Sequence, residues 1–195
     1  MVDLQQQPFS TASPIAVNYS FSDISSGVSF QNYNGYVEED SAGLDYFLNS
    51  QNIFTSDILV AANDIDIDTP VFDIPQTING DAVVQLSYAG TNMANSDNVI
   101  PTITIYKYDG TTETQLGTAT GPTLSGIDPG NDVDRSTTLV IPLTRTTITK
   151  GDLIRVTIGS AGNNTLKLYM SPNNLGTPFT NALHTKFILS VPFEL

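Results

Sequence analysis

Apolar side chains recur at every second position in several short runs of this chain, and this period of two constrains the fold most strongly. Alternation over four to eight residues is typical of half-buried β-strands, because successive side chains on a strand point to opposite faces. Five runs in the middle of the chain, at 84–88, 103–105, 139–143, 154–158 and 166–170, show it. The two end runs show it most clearly, with apolar residues on one face at Ile15, Val17, Tyr19, Phe21, Phe187, Leu189, Val191, Phe193 and Leu195.

Helical periodicity is missing by comparison. No segment carries a convincing helical stripe over ten residues or more, and the best candidate, 44–54, is predicted equally well as strand or loop. The chain also holds 24 threonines, whose β-branched side chains fit a pleated surface better than a helix. The sequence therefore predicts an all-β protein.

Turn signals divide these runs. Asn79-Gly80 is predicted to separate a strand over 71–78 from one over 82–88, and Asp109-Gly110 to close a second hairpin. Lys150-Gly151-Asp152 and Gly162-Asn163-Asn164 are predicted turns as well. Stretches without a clear period are predicted to be loops, at 31–42, 90–97, 121–134 and 171–181.

Pro142 and Pro192 lie inside strand-like runs. Because proline cannot donate to a β-ladder, both positions are predicted to be edge strands or bulges. Eight to ten short strands with several long connections favour an antiparallel β-sandwich, in the form of a jelly roll. We expect one sandwich domain over residues 13–195, preceded by a polar, glutamine-rich N-terminal arm over residues 1–12.

Charge is distributed unevenly along the chain. The first 106 residues hold thirteen Asp and Glu and no Lys or Arg, whereas the remainder holds seven of each sign, so the first half carries the formal charge of −13. Binding to nucleic acid or to an anionic membrane needs clustered cations. Both are excluded as expected partners, and the acidic half is predicted to face solvent. The start of the chain resembles no signal peptide, and no apolar run is long enough to span a membrane.

The usual catalytic motifs are missing from the sequence. No G-x-S-x-G motif occurs, there is no cysteine, and no phosphate-binding glycine loop is present. His184 is the only histidine, and we expect it in a loop or on the surface. These features predict a protein that is not an enzyme and that carries no cofactor.

Clusters of acidic residues suggest metal or glycosidase chemistry only weakly. Asp64, Asp66 and Asp68 alternate with isoleucines, which predicts a strand with a solvated face in preference to a calcium site, since the EF-hand glycine and final acid are missing. Two further clusters are predicted to be ordinary polar loops, so no metal site is assigned: Glu38-Glu39-Asp40, and Asp128, Asn131, Asp132 and Asp134.

Three short stretches resemble known proteins. Residues 149–156, Thr-Lys-Gly-Asp-Leu-Ile-Arg-Val, look like a strand–turn–strand element shared by many jelly-roll proteins. The start, 2–9, and the finish, 187–195, resemble small β-rich virion proteins of tailed bacteriophages, of the capsid decoration (cement) or head-fibre type. This resemblance implies a structural protein in the virion, a homotrimer that binds a capsid or other virion protein, with residues 1–9 as the candidate contact between subunits.

Two alternatives remain open. The chain is also consistent with a β-sandwich recognition module, which would bind carbohydrate or a host receptor through residues 31–40, with Tyr33 and Tyr36 as a sugar platform, and through 171–181. A hydrolase that uses only carboxylates is the other alternative.

Overall fold

The computed structural model of this chain describes residues 21–23, 27–40, 43–49, 57–60, 64–126, 131–169 and 187–194. All regular structure in these ranges is β-strand, which confirms the predicted all-β fold. The strands are β1 (Phe21–Asp23), β2 (Val28–Asp40), β3 (Gly43–Asn49), β4 (Asp57–Val60), β5 (Ile65–Asp68), β6 (Gln76–Met93), β7 (Asn98–Val99), β8 (Pro101–Tyr108), β9 (Glu113–Thr120), β10 (Leu124–Ser125), β11 (Asn131–Ile148), β12 (Leu153–Ser160), β13 (Leu166–Tyr169) and β14 (Ile188–Glu194).

Strand β6 organises one layer of the sandwich. Along one edge it pairs with β11 over almost its whole length. Its other edge is shared, with β13 beside residues 87–90 and β14 beside residues 78–85. Strand β14 then pairs with β2, and β2 with β1 and β3. This layer therefore joins strands from distant parts of the sequence.

The second layer has the order β5-β12-β8-β9 and is antiparallel throughout. It connects to the first through one parallel contact of β3 with β5, where Phe47 lies opposite Asp68. Ten strands thus lie on one continuous hydrogen-bonded path in the described part of the chain. A separate two-stranded ladder joins β7 to β10. The arrangement is the predicted antiparallel β-sandwich.

The alternating apolar residues form the core between the two layers. Ile103 and Ile105 of β8 are fully buried, as are Ile154, Val156 and Ile158 of β12. The inward residues of β6, β11 and β14 meet them in one continuous cluster. Strand β14 lies between β2 and β6, and the alternating apolar residues of the run at 187–194 point into this core. Each buried aliphatic side chain stabilises the fold by about 1.5 to 3 kcal/mol relative to exposure.

Two of the predicted turns are confirmed in detail. Asp109-Gly110 joins β8 to β9, with Gly110 at a φ of 93° and an Asp109 oxygen accepting from the backbone N–H groups of Thr111 and Thr112. Lys150-Gly151-Asp152 joins β11 to β12, with Gly151 at a φ of 92°. Both glycines adopt backbone conformations that side chains with a Cβ rarely accept.

The predicted turn at Asn79-Gly80 is wrong. Strand β6 passes straight through these residues, and it begins only at Gln76, so the predicted strand over 71–78 is wrong in most of its length. Gly80 has a φ of 116°, and both neighbouring strands shift register close to it. The dipeptide that usually closes a hairpin here allows a bulge within a long strand.

Both prolines lie where the sequence predicts. Pro142 is on β11, which pairs only with β6 among the described residues, and a register shift follows immediately at Leu143. Pro192 lies inside the register shift between β14 and β6. In each case an irregularity of the ladder lies at or next to the proline, which has no N–H to donate to the neighbouring strand.

The predicted loop over 31–42 is a strand for most of its length. Residues 31–40 belong to β2 and pair with β14 and β3. The sequence pattern does not predict this strand because polar residues interrupt the apolar alternation. These polar side chains form hydrogen bonds with other strands: Gln31 donates to Gln76 at 3.2 Å, and Ser190 donates to Asn32 at 2.5 Å. The predicted loop at 90–97 begins only after Met93, and the one at 121–134 is interrupted by β10 and by the start of β11. The predicted arm over residues 1–12 lies outside the described residues.

Gly117 on β9 lies against the backbone of β11, which makes it a test of how the two layers close. A Cβ at this position would lie 2.5 Å from the Pro142 carbonyl oxygen. We expect Gly117→Ala to lower the free energy of unfolding by about 1 to 3 kcal/mol, through overpacking. Thr120→Ala, at an exposed position of the same strand, is the control and should change it by less than about 0.5 kcal/mol. Urea unfolding measures both, and equal effects would contradict the contact.

Candidate interaction surface

Large apolar side chains are exposed at two places in the described part of the chain. Val71 is 56% exposed and Ile74 is 70% exposed, and both lie in the connection between β5 and β6. Val140, on the outer face of β11, is 56% exposed. Residues 69–75, Thr-Pro-Val-Phe-Asp-Ile-Pro, are called here the apolar segment.

The backbone of the apolar segment is held by β12 and the turn before it. Thr69 and Ile154 exchange two hydrogen bonds, at 2.9 and 3.0 Å, the second through the Thr69 hydroxyl. Phe72 donates to the Asp152 carbonyl and accepts from the Gly151 N–H, each at 2.8 Å. The buried Phe72 ring also packs on Phe193, with ring centroids 5.8 Å apart. Val71 and Ile74 are therefore presented from a fixed backbone.

Asp152 stabilises the turn that holds the apolar segment. Its carboxylate accepts hydrogen bonds from the Thr149 N–H and hydroxyl at 2.7 Å, and Lys107 lies 3.0 Å away. Burial by itself would raise the pKa of Asp152, but the hydrogen bonds from Thr149 and Lys107 outweigh it and lower the pKa below its ordinary value. The turn is therefore built around an ionised carboxylate.

Two charges of opposite sign accompany the exposed apolar side chains, one within the apolar segment and one on the turn that holds it. The Gly151 N–H donates to the Phe72 carbonyl at 2.8 Å. Asp73 is the next residue after Phe72 and Lys150 the one before Gly151, so this hydrogen bond brings the backbones of the two charged residues near each other. Both side chains are exposed. Neither forms an ion pair within the described residues. The surface thus combines an apolar pair with one anion and one cation that form no ion pair in the part of the chain that the structure describes.

The predicted strand at Asp64, Asp66 and Asp68 is confirmed as β5, with its acids on the solvated side. Two of these acids belong to an ion-pair network centred on Arg155. The guanidinium binds both oxygens of Asp68 at 2.7 Å, contacts Glu113 at 2.8 Å and Asp66 at 3.4 Å. It also stacks over the Tyr108 ring at 4.1 Å. These carboxylates raise the pKa of Arg155 further above its ordinary value.

Tyr33 is not the sugar platform that the recognition alternative requires. It lies on β2 and not in a loop, it is buried, and its hydroxyl donates to the Gln31 side chain at 2.8 Å. Burial raises its pKa well above the ordinary range. Tyr36 also belongs to β2, although its side chain is outside the description. The glycan-binding alternative therefore loses its first proposed contact.

Other predicted features fall on different parts of the fold or outside the described residues. Glu38-Glu39-Asp40 form the end of β2, and Asn131, Asp132 and Asp134 begin β11. Asp128, His184 and the predicted loop 171–181 lie outside the described ranges. Within those ranges, no group of three or more potential metal-ligating side chains comes together. They contain no helix long and apolar enough to cross a bilayer.

The sequence reasoning missed Val71 and Ile74 as surface residues, because the predicted strand over 71–78 placed them in a ladder. A signal was present in the flanking Pro70 and Pro75. Proline at both ends restricts regular pairing and is typical of a fixed connecting segment.

Comparisons with known proteins show the fold and no family. No family model matches the chain, and no curated protein does. Two crystal structures of a CocE/NonD family hydrolase from Staphylococcus aureus align with TM-scores of 0.51 and 0.50, at 10% and 11% identity, over 85% and 83% of this chain. An α-amino acid ester hydrolase aligns with a TM-score of 0.51, at 14% identity, over 82% of this chain. An alignment with infectious bursal disease virus, Gx strain, has a TM-score of 0.30 and carries no argument.

These comparisons correct the expectation that the chain is not an enzyme. The chain spans 36% to 37% of the length of the hydrolases, so its sandwich corresponds to part of a larger hydrolase chain. The expectation follows from the missing nucleophile motifs. That inference was wrong, because a sandwich of this kind also occurs in hydrolases.

Arg155 should contribute more to stability than the exposed ion pair of Arg145 with Glu194. The Arg155 side chain is 18% exposed, whereas that of Arg145 is 64% exposed. We expect Arg155→Leu to lower the free energy of unfolding by about 2 to 3 kcal/mol, since three carboxylates lose their shared cation. Arg145→Leu should lower it clearly less, because water screens the exposed pair. Chemical denaturation at neutral pH compares them, and equal losses would contradict the network's role.

Asp152 should make the stability depend on acidity. Because its folded pKa is lowered from 3.8, its stabilisation is present above pH 3.8 and is lost as the pH falls through the lower folded value. Asp152→Asn should cost about 1 to 2 kcal/mol at neutral pH, and its difference from wild type should shrink below pH 3.8. Asp81→Asn, at an exposed position of β6, is the control, with an expected change below about 0.5 kcal/mol at pH 7. A constant difference across the pH series would refute the assignment.

Proposed function

We propose that this chain is a structural β-sandwich protein that assembles with copies of itself and sits on the surface of a larger particle. The observation that carries this proposal is the apolar segment, where Val71 and Ile74 project from a backbone fixed by Thr69 and Phe72. Exposed apolar side chains on a rigid support favour association, because little conformational freedom is lost on binding.

The pattern of charges supports an outward-facing surface protein. Arg155 and Lys107 contact carboxylates of the same chain, while Asp64, Asp73 and Asp81 remain exposed. Excess negative charge keeps particles soluble and apart. Weak contacts made by many copies on one particle would add up to firm attachment.

A phage virion is the setting that the sequence resemblance suggests. In that setting the chain would act as a capsid decoration or head-fibre protein, with a capsid or other virion protein as its partner. The sandwich offers a stable support for contacts made by its end segments and loops. Residues 1–9 remain the sequence-based candidate for a contact between subunits.

A second candidate function follows from the structural comparisons. Sandwiches of similar fold make up about a third of the hydrolase chains to which this chain is similar. The chain would then serve as the sandwich part of a hydrolase. Because the chain covers only about a third of those hydrolases, binding of an α-amino acid ester to the purified chain, measured by calorimetry, is the result that would favour this candidate.

The native mass tests the proposed assembly. We expect light scattering after size exclusion, at moderate salt, to give a multiple of 20.9 kDa, with a trimer as the state that the virion resemblance implies. Raising the protein concentration should shift any monomer towards the oligomer. A monomer at every concentration would contradict self-assembly and leave the hydrolase candidate ahead.

A further inference from the structure

The apolar segment carries the features of a surface that matches its own copy. We propose that the apolar segment of one copy packs against that of a second copy of this chain, with Asp73 of each copy paired with Lys150 of the next. This inference rests on the proposed self-assembly and names the contact that produces it.

The apolar part of this contact comes from Val71 and Ile74, the most exposed large apolar side chains on any connecting segment in the described ranges. Against a second copy, the four side chains would shield one another from water, which is the main driving force for association. The hydrogen bonds of Thr69 and Phe72 to β12 and its preceding turn keep the backbone in place before the copies meet.

The polar part comes from two charges that have no ion pair within the described residues. Asp73 and Lys150 lie on either side of the hydrogen bond between Phe72 and Gly151. In a two-fold contact, residue i of one copy meets residue j of the other, and residue j of the first then meets residue i of the second. Asp73 of each copy can therefore pair with Lys150 of the other across a two-fold axis.

A different kind of partner fits this surface less well. A strongly basic protein would pair with Asp73 but would place like charges against Lys150. A strongly acidic protein would pair with Lys150 but would place like charges against Asp73. A second copy satisfies both charges at once, although the formal charge of −13 on each copy opposes the approach. Added salt should therefore strengthen self-association, by screening this overall repulsion more than the close contact.

Exchanging the charges at Asp73 and Lys150 distinguishes a specific pair between copies from the overall repulsion between two negatively charged chains. Asp73→Lys makes the net charge of −13 less negative by two, so overall repulsion alone predicts tighter self-association. The proposed pairing predicts the opposite, a weakening of about tenfold or more, because two lysines then face each other. Lys150→Asp should weaken it similarly, and the variant that combines both changes should return close to the wild-type constant. Sedimentation equilibrium of the full chain measures all four proteins.

The apolar contact has a matched control. Ile74→Asp and Val71→Asp should each raise the dissociation constant about tenfold or more. Val140→Asp places the same charge at a side chain that is as exposed as Val71, on the outer face of β11, and it should leave self-association within about threefold of wild type. Near-ultraviolet circular dichroism and the urea midpoint check that every variant folds.

The outcomes distinguish this contact from the proposed function. If wild type self-associates and neither the aspartate variants at 71 and 74 nor the charge exchange alters it, another surface joins the copies and this inference is overturned while assembly stands. If Asp73→Lys tightens association, the charge pairing is refuted. A monomeric wild type overturns both the contact and the assembly.

Discussion

The hydrogen bonding of β6 along both of its edges is the constraint on which the rest of the structure depends. One edge sets the register of β11, and the other sets those of β13 and β14. A slip of one residue would turn the buried side chains of β6 outwards, so the register of every neighbouring strand is tied to the core. The bulge at Gly80 lets an 18-residue strand bend without losing this pairing. The composition of the core and the position of β14 both follow from this pairing of β6.

Folding partly cancels the uneven charge of the sequence. Arg155, from the second half of the chain, pairs with Asp66 and Asp68 from the first. The ion pairs of Lys107 and Arg145 stay within the second half. Glu113 and the Tyr108 ring extend the same network across β8 and β9. The acids that remain exposed give the surface its negative character. The same pairing places two of the alternating aspartates of β5, Asp66 and Asp68, against the Arg155 guanidinium.

The candidate interaction surface depends on packing at the start of β12. The turn built around Asp152 positions the carbonyl that accepts from Phe72, and Phe72 in turn fixes the backbone that carries Val71 and Ile74. Burial of one aromatic ring therefore determines the exposure of its neighbours. A similar sandwich forms part of larger hydrolases, so the fold by itself assigns no activity. The proposed function rests on this surface, and its tests do not depend on the fold comparison.

The period of two and the turn dipeptides determined the all-β class, the sandwich, the turns after β8 and β11, and the irregularities at Pro142 and Pro192. These are local properties, set by side-chain alternation, by the wide φ range of glycine and by the fixed φ and missing N–H of proline. Only the tertiary structure decided that Asn79-Gly80 forms a bulge, that Tyr33 is buried on β2, and that Val71 and Ile74 are exposed. Each of these depends on which distant strand supplies a hydrogen-bond partner or a packing surface, and a local pattern by itself does not fix that choice.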